Sequence, residues 1–262
     1  MRVIIVKDYD EISKKAASII AEKIRKKPHF VLGVDVSDTI IGTYKELIQL
    51  NKKGNLDFSR VVTFNLDEYL GLAPGHPQSC RYFMDTNLLK QINIDERNIY
   101  IPNGLTKDPQ LLCEKYEKSI KEVAGIDLQV LGIGTDGHIG FNEPGSSLTS
   151  RTRIKTLTEE TVKNRTKVFK KSGDVPRFAI TMGVGTIMES RMCMLLASGK
   201  RKAEILVKAI EGPVTASIPA SMLQLHPNVI VIADKEASFN LAQKDYYIYV
   251  EKMTKQIGDA QI

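Results

Sequence analysis

The chain has 262 residues, a formal net charge of +6, 42% hydrophobic and 26% charged side chains, which is ordinary for a globular enzyme with a substantial core. Trp is absent and aromatic residues make up only 6%, with no interleaving of basic and aromatic residues, so nucleic acid is not an expected partner. Cys80, Cys113 and Cys193 are odd in number and far apart, a pattern that argues against a disulfide frame or a zinc site and fits a reducing, cytoplasmic compartment.

The opening MRVIIVKDYDE holds an apolar run of only four residues. It predicts a first strand at Val3–Val6 rather than a signal peptide, and no later run approaches membrane-spanning length. A helix is predicted from about Asp8 to Lys27, since Ile12, Ala16, Ile19, Ile20 and Ile24 share one face. Next come strand Phe30–Leu32, helix Thr39–Lys52, strand Val61–Leu66, helix Ser79–Leu89, a short strand at Ile99–Ile101, helix Pro109–Val123 and strand Leu128–Ile133. Further strands are predicted at Phe178–Met182, Met192–Ala197 and Val229–Ala233, with helices at Lys200–Ile210 and Ala220–Leu225. Strands alternating with long helices define βαβ units and a mainly parallel sheet. No repeat or linker divides the chain, so residues 1–262 are expected to form a single α/β domain.

Ligands of such a sheet bind beyond the carboxyl ends of its strands. Four segments are expected on that rim: Gly33–Thr39, Asp67–Cys80, Gly134–Ser147, and the stretch after Ala197. The sequence 131–147, LGIGTDGHIGFNEPGSS, places Asp136, His138 and Glu143 close together among five glycines. A histidine flanked by carboxylates suits proton transfer, because a carboxylate holds the tautomer and steadies the imidazolium. The alternative is a polar glycine turn with a solvated histidine. In VVTFNLDEYLGL, residues 61–72, an apolar run ends directly in Asp67 and Glu68. A carboxylate there is partly desolvated and suited to act as a base, or it is a helix cap or solvated loop pair. Residues 151–171 hold eight Lys or Arg against two Glu, a surplus equal to the whole net charge. Most of these read as a solvated face; Arg151, Arg153 and Lys155, on a short strand after Ser146 and Ser147, look more like an anion site.

Together, FNLDEYLGL, GTDGHIGFNEPGSSL, SRTRIKTLT, MGVGT and LQLHP closely resemble the glucosamine-6-phosphate deaminase family, over nearly the whole chain from Met1 to about Asp234. The resemblance implies a Rossmann-like α/β fold with helices on both faces of the sheet, a homo-oligomer that is often a hexamer, and neither metal nor organic cofactor. It implies a phosphosugar substrate, and no membrane or nucleic-acid partner. By the same resemblance Asp67 is the base that moves a proton between C2 and C1 of the opened sugar. His138 opens the pyranose ring, Asp136 and Glu143 are its carboxylate partners, and Lys202 holds the sugar phosphate. Ser146, Arg153 and Lys155 match an allosteric phosphosugar site.

Other positions depart from the family pattern. Residues 30–47, FVLGVDVSDTIIGTYKEL, keep Gly33 and Thr39 of its phosphate loop but carry Asp35, Val36, Ser37, Asp38 and Ile40 where proline, threonine and glycines are usual. Cys80 stands in place of a pocket tyrosine, and Lys167 and Val168 in place of an Arg-Phe pair whose arginine helps hold the phosphate. These changes predict weakened deamination in a repurposed pocket, by divergence or by redesign. Two alternatives are a different enzyme on the scaffold, with Cys80 as nucleophile to a His138 base or with Asp35, Asp38 and Asp67 around a divalent cation, and a phosphosugar-binding protein without turnover. Asp67 and His138 are expected in one pocket, and Arg153 and Lys155 on one face of a strand, forming an anion site near a subunit contact.

Overall fold

The computed structural model describes residues 1–159, 161–163, 169 and 174–257. Lys167 and Val168 lie outside them. The strands are β1 (Arg2–Val6), β2 (Val31–Val34), β3 (Val62–Asn65), β4 (Asp67–Tyr69), β5 (Ile99–Tyr100), β6 (Leu128–Gly132), β7 (Arg153–Thr156), β8 (Phe178–Thr181), β9 (Cys193–Ala197) and β10 (Val229–Asp234). The helices are α1 (Tyr9–Lys26), α2 (Ile41–Lys52), α3 (Cys80–Asn87), α4 (Pro109–Glu122), α5 (Val184–Met188), α6 (Ala203–Ile210) and α7 (Lys244–Ile257). No helix among the described residues is long and apolar enough to cross a membrane.

Seven strands form one sheet in the order β1-β10-β9-β6-β2-β3-β5, and every neighbouring pair is parallel. Its strands are apolar on both faces, as a sheet covered on both sides requires: β9 and β10 are buried along their whole length. One face packs on α1 and α2 through Ile12, Ile20, Tyr44 and Leu47. The other packs on α4, α5 and α6 through Tyr116, Ile120, Ile187 and Leu206. The expected α/β fold with helices on both faces is thus the observed one. Helix α1 begins where the sequence indicates, since the Asp8 side chain accepts the Glu11 N–H at 3.1 Å.

The expected helix at Ala220–Leu225 is a 3-10 helix, Pro219–Leu225, and other features also depart from expectation. Phe178–Met182 was expected to join the parallel sheet, and Asp67–Cys80 to be a loop. Instead β8 lies between β4 and β7 in a separate antiparallel sheet, with Asp67 opposite Thr181 and Arg153 also opposite Thr181. Leu66 is the junction: its N–H still bonds Val34 O of the main sheet, while its carbonyl accepts Met182 N–H. The next residue, Asp67, therefore leaves the parallel sheet with its backbone already committed to β8. Helix α7 was not anticipated. It packs back on the sheet edge, where the Glu251 carboxylate accepts Arg2 Nε at 2.8 Å.

Gly33 belongs to β2 rather than to the loop after it, in register with Phe64 on β3 and Gln129 on β6. A Cβ there would meet the Gln129 side chain at 2.0 Å, so glycine is needed for close packing inside the sheet.

Candidate active site

The site gathers at the carboxyl ends of β2, β3, β6 and β9. Asp67 is buried at the start of β4, and its Oδ1 accepts the Cys80 thiol at 3.4 Å. Its neighbour Glu68 points the other way along the strand, into the amino end of α3. There its carboxylate accepts the backbone N–H groups of Tyr69, Cys80 and Arg81 at 2.8 to 2.9 Å. Burial nevertheless pushes the Glu68 carboxyl above its ordinary range, against the lowering effect of those bonds. Of the two acids at the strand mouth, Glu68 caps the helix and Asp67 meets the Cys80 thiol.

The loop after β6 carries the second group. His138 Nδ1 lies 2.6 Å from Asp136 Oδ1, although the ring N–H is not aimed for a linear hydrogen bond. Burial alone would raise the Asp136 carboxyl; the contact with His138 and its charge outweigh that and hold it at about 2. The ring lies over Gly134, where any Cβ would sit 2.2 Å from the imidazole. Glu143 is only 1% exposed; its Oε1 accepts the Thr161 hydroxyl at 2.6 Å, and its Oε2 has no hydrogen-bond partner among the described residues. Donor atoms of Asp136, His138 and Glu143 all fall within 4.8 Å of one another. That spacing could hold a divalent cation; it equally suits a proton relay with the imidazole between two carboxylates.

The two groups are tied together. Phe141 N–H bonds the Thr181 hydroxyl at 3.1 Å, and Thr181 stands opposite Asp67 in the small sheet. Gly140, at φ +56°, a conformation that favours glycine, packs tightly against Leu66 and Thr181, 3.0 Å from the position of a Cβ. The His138 loop therefore docks directly on the residues flanking Asp67. Tyr69, Phe141 and Phe169 form an apolar wall beside them, with ring centroids 5.0 and 5.9 Å from Tyr69.

Lys202 reaches the same rim from the turn after β9. It is half-buried, and its Nζ donates to Ile133 O at 2.6 Å. Burial lowers its pKa and Arg201 adds to this, while Asp136 and Asp38 pull the other way. In the loop after β2, Asp35 is turned inward: its Oδ2 accepts the Ser37 hydroxyl at 2.5 Å and Gly132 N–H at 3.0 Å. Burial raises its carboxyl pKa despite these bonds. Val36, Ser37 and Thr39 are half-exposed, Asp38 is exposed and Ile40 is in the core.

Arg153 and Lys155 lie on one face of β7, as their spacing predicts. Arg153 Nη1 donates to Asn142 Oδ1 at 2.9 Å, which brings it to the loop holding buried Ser146, whose hydroxyl donates to Glu143 O at 2.6 Å. Arg151 is not part of that face; it pairs with Glu117 and Glu189. The Cys80 thiol bonds Asp67 rather than His138, and Asp35 is turned onto Gly132. Asp35, Asp38 and Asp67 form no metal-binding set among the described residues. Glu68 takes the helix-cap alternative. The contacts of Thr161 and Gly132 were not anticipated; they span 18 and 97 positions, for which the local pattern holds no signal.

An open parallel sheet with a buried carboxylate, Asp67, and a carboxylate-flanked histidine at its carboxyl end defines the class of α/β protein that this chain represents. The family described as glucosamine-6-phosphate isomerases/6-phosphogluconolactonase matches residues 7–231, and the chain belongs to it. A glucosamine-6-phosphate deaminase of Thermoanaerobacter pseudethanolicus is 51% identical over 245 residues, covering 94% of this chain and 97% of that one. One of Clostridium perfringens is 48% identical over 238 residues, covering 91% and 98%. Among solved structures, a monomeric glucosamine-6-phosphate deaminase superposes with a TM-score of 0.89 at 42% identity, covering 92% of this chain and all (100%) of that one. A 6-phosphogluconolactonase of Trypanosoma cruzi shares the fold, with a TM-score of 0.73 at 21% identity.

Proposed function

We propose that this chain is a glucosamine-6-phosphate deaminase, converting glucosamine 6-phosphate and water to fructose 6-phosphate and ammonia. The observation that carries the reading is the docking of the Asp136–His138–Glu143 loop on the residues that flank Asp67. It agrees with relatives of that name at 48 to 51% identity over most of the chain.

The reaction needs three acts, and the residues divide them. His138, steadied by Asp136 and Glu143, takes the proton of the ring hydroxyl and returns it to the ring oxygen, so that the pyranose opens to the aldehyde. Asp67 then removes the proton on C2 and delivers it to C1, while a proton passes from the amino nitrogen to the C1 oxygen, which turns the amino aldose into a C2 imine. Water adds to that carbon, the C–N bond breaks, and ammonia leaves with the proton balance restored. The buried position of Asp67 suits the second act, because a base shielded from water keeps the proton it carries between adjacent carbons. Lys202 supplies the positive charge for the substrate phosphate, with Thr39 and the loop after β2 beside it.

The three cysteines are buried and in no disulfide, which supports a reducing compartment, the cytoplasm. A homo-oligomer is the assembly the resemblance carries, whereas one solved relative is described as monomeric; sedimentation velocity separates the two. Ammonia release from glucosamine 6-phosphate, absent with fructose 6-phosphate as the control, tests the activity.

A further inference from the structure

In the main sheet the chain runs from β2 outward to β3 and β5, and from β6 to the opposite side through β9 and β10. The gap between β2 and β6 is therefore the topological switch point, the crevice where open α/β sheets hold their ligands. Asp35 is the first residue after β2 and Gly132 the last of β6, and the bond from Gly132 N–H to Asp35 Oδ2, 3.0 Å, closes this crevice. Ser37 Oγ donates to the same oxygen at 2.5 Å. Tyr44 of α2 anchors the Asp35 backbone carbonyl at 2.8 Å. The fit is tight: the Cβ position of Gly132 lies 2.8 Å from Ser37 Oγ and 3.0 Å from Asp35 Oδ2.

The donors that converge here, an N–H at a strand end and a hydroxyl, are of the kind that hold a ligand anion. They already hold one, the carboxylate of Asp35. The neighbouring cation, Lys202, bonds the carbonyl of Ile133, one residue beyond Gly132, and lies in the field of Asp38 and Asp136. A dianion that reaches Lys202 thus enters the field of Asp38 and Asp136, one residue along the chain from the Gly132–Asp35 contact.

We infer that Asp35 is a resident anion of the switch-point crevice that competes with the phosphate of the incoming sugar, and so sets the affinity and selectivity of the site for that group. The identity of the sugar rests on the proposed deaminase reading; the competition with phosphate does not. Asp38, being exposed and screened, contributes less.

The test is calorimetric titration of the full chain and of Asp35→Asn with inorganic phosphate and with glucosamine 6-phosphate. Asparagine keeps a carbonyl oxygen for Gly132 N–H and Ser37 while removing the charge. It should lower the Kd for both ligands about tenfold, equivalent to ~1.4 kcal/mol. Asp38→Asn should lower it less than about threefold. Asp35→Ser, which also removes the charge, serves if the asparagine variant does not fold. A folded charge-removed variant that binds phosphate no tighter than the parent chain would overturn the inference. Tighter phosphate binding with no ammonia release from either protein would uphold it while removing the deaminase reading.

Discussion

Cys80 Sγ donates to Asp67 Oδ1 across 3.4 Å, both residues buried and thirteen positions apart. The thiol is thus a weak donor to the base rather than a nucleophile facing His138. Cys80→Ser should retain most of the turnover, and Cys80→Ala should lower kcat/KM by no more than about tenfold, equal to ~1.4 kcal/mol. Iodoacetamide should leave the folded enzyme active, because the thiol is only 3% exposed. Complete loss in Cys80→Ser with the fold intact would restore the nucleophile reading.

The Asp136–His138 pair makes an acid-range prediction. The folded Asp136 pKa, about 2, lies below its ordinary value of 3.8. The stabilisation it adds is therefore fully present above pH 4 and is lost as pH falls through 2. Asp136→Asn should flatten that part of the profile of urea midpoint against pH. It should also lower kcat by roughly 10²-fold or more, the usual contribution of positioned acid–base groups.

Glu68 predicts a loss of stability. Its carboxylate satisfies the N–H groups of Tyr69, Cys80 and Arg81 inside the protein. Glu68→Ala should cost about 2–4 kcal/mol in urea unfolding, since buried donors left without partners carry their desolvation penalty. An unchanged midpoint would mean that water or another side chain replaces it.

Much of this arrangement was legible in the sequence. Apolar strands alternating with amphipathic helices specify the parallel sheet, because strands covered on both faces must be continuous apolar runs. Asp136, His138 and Glu143 were visible for a similar reason: a glycine-rich turn concentrates their side chains within eight positions. The small sheet was not legible, since nothing in VVTFNLDEY marks Leu66 as the residue whose N–H and C=O serve two different sheets. Helix α7 was hidden by the run Tyr246–Val250, aromatic and β-branched residues whose local preference is for strand. Burial of Tyr247 against the core and the Arg2–Glu251 ion pair override it. The inward turn of Asp35 was equally invisible, because its partner Gly132 lies 97 positions away.

Arg153 and Lys155 share one face of β7 and give the fourth prediction, a second anion site beside Ser146. Arg153 is partly buried and desolvation lowers its pKa, which a bound anion would offset. Arg153→Ala should weaken phosphosugar binding at that site by at least tenfold, ~1.4 kcal/mol, in a two-site titration. Equal affinity in the variant would reduce this face to a solvated one.

Coupled detection of ammonia from glucosamine 6-phosphate tests Asp67 as the base of an amino-sugar isomerase-deaminase. Asp67→Asn keeps the size of the side chain and removes its ability to carry a proton between C2 and C1. The parent chain should release ammonia and carry deuterium placed on C2 of the substrate to C1 of the product, and the variant should do neither, with kcat reduced by about 10³-fold or more. Parent-level ammonia release by a folded Asp67→Asn protein, or none by the parent at saturating substrate, would contradict the account.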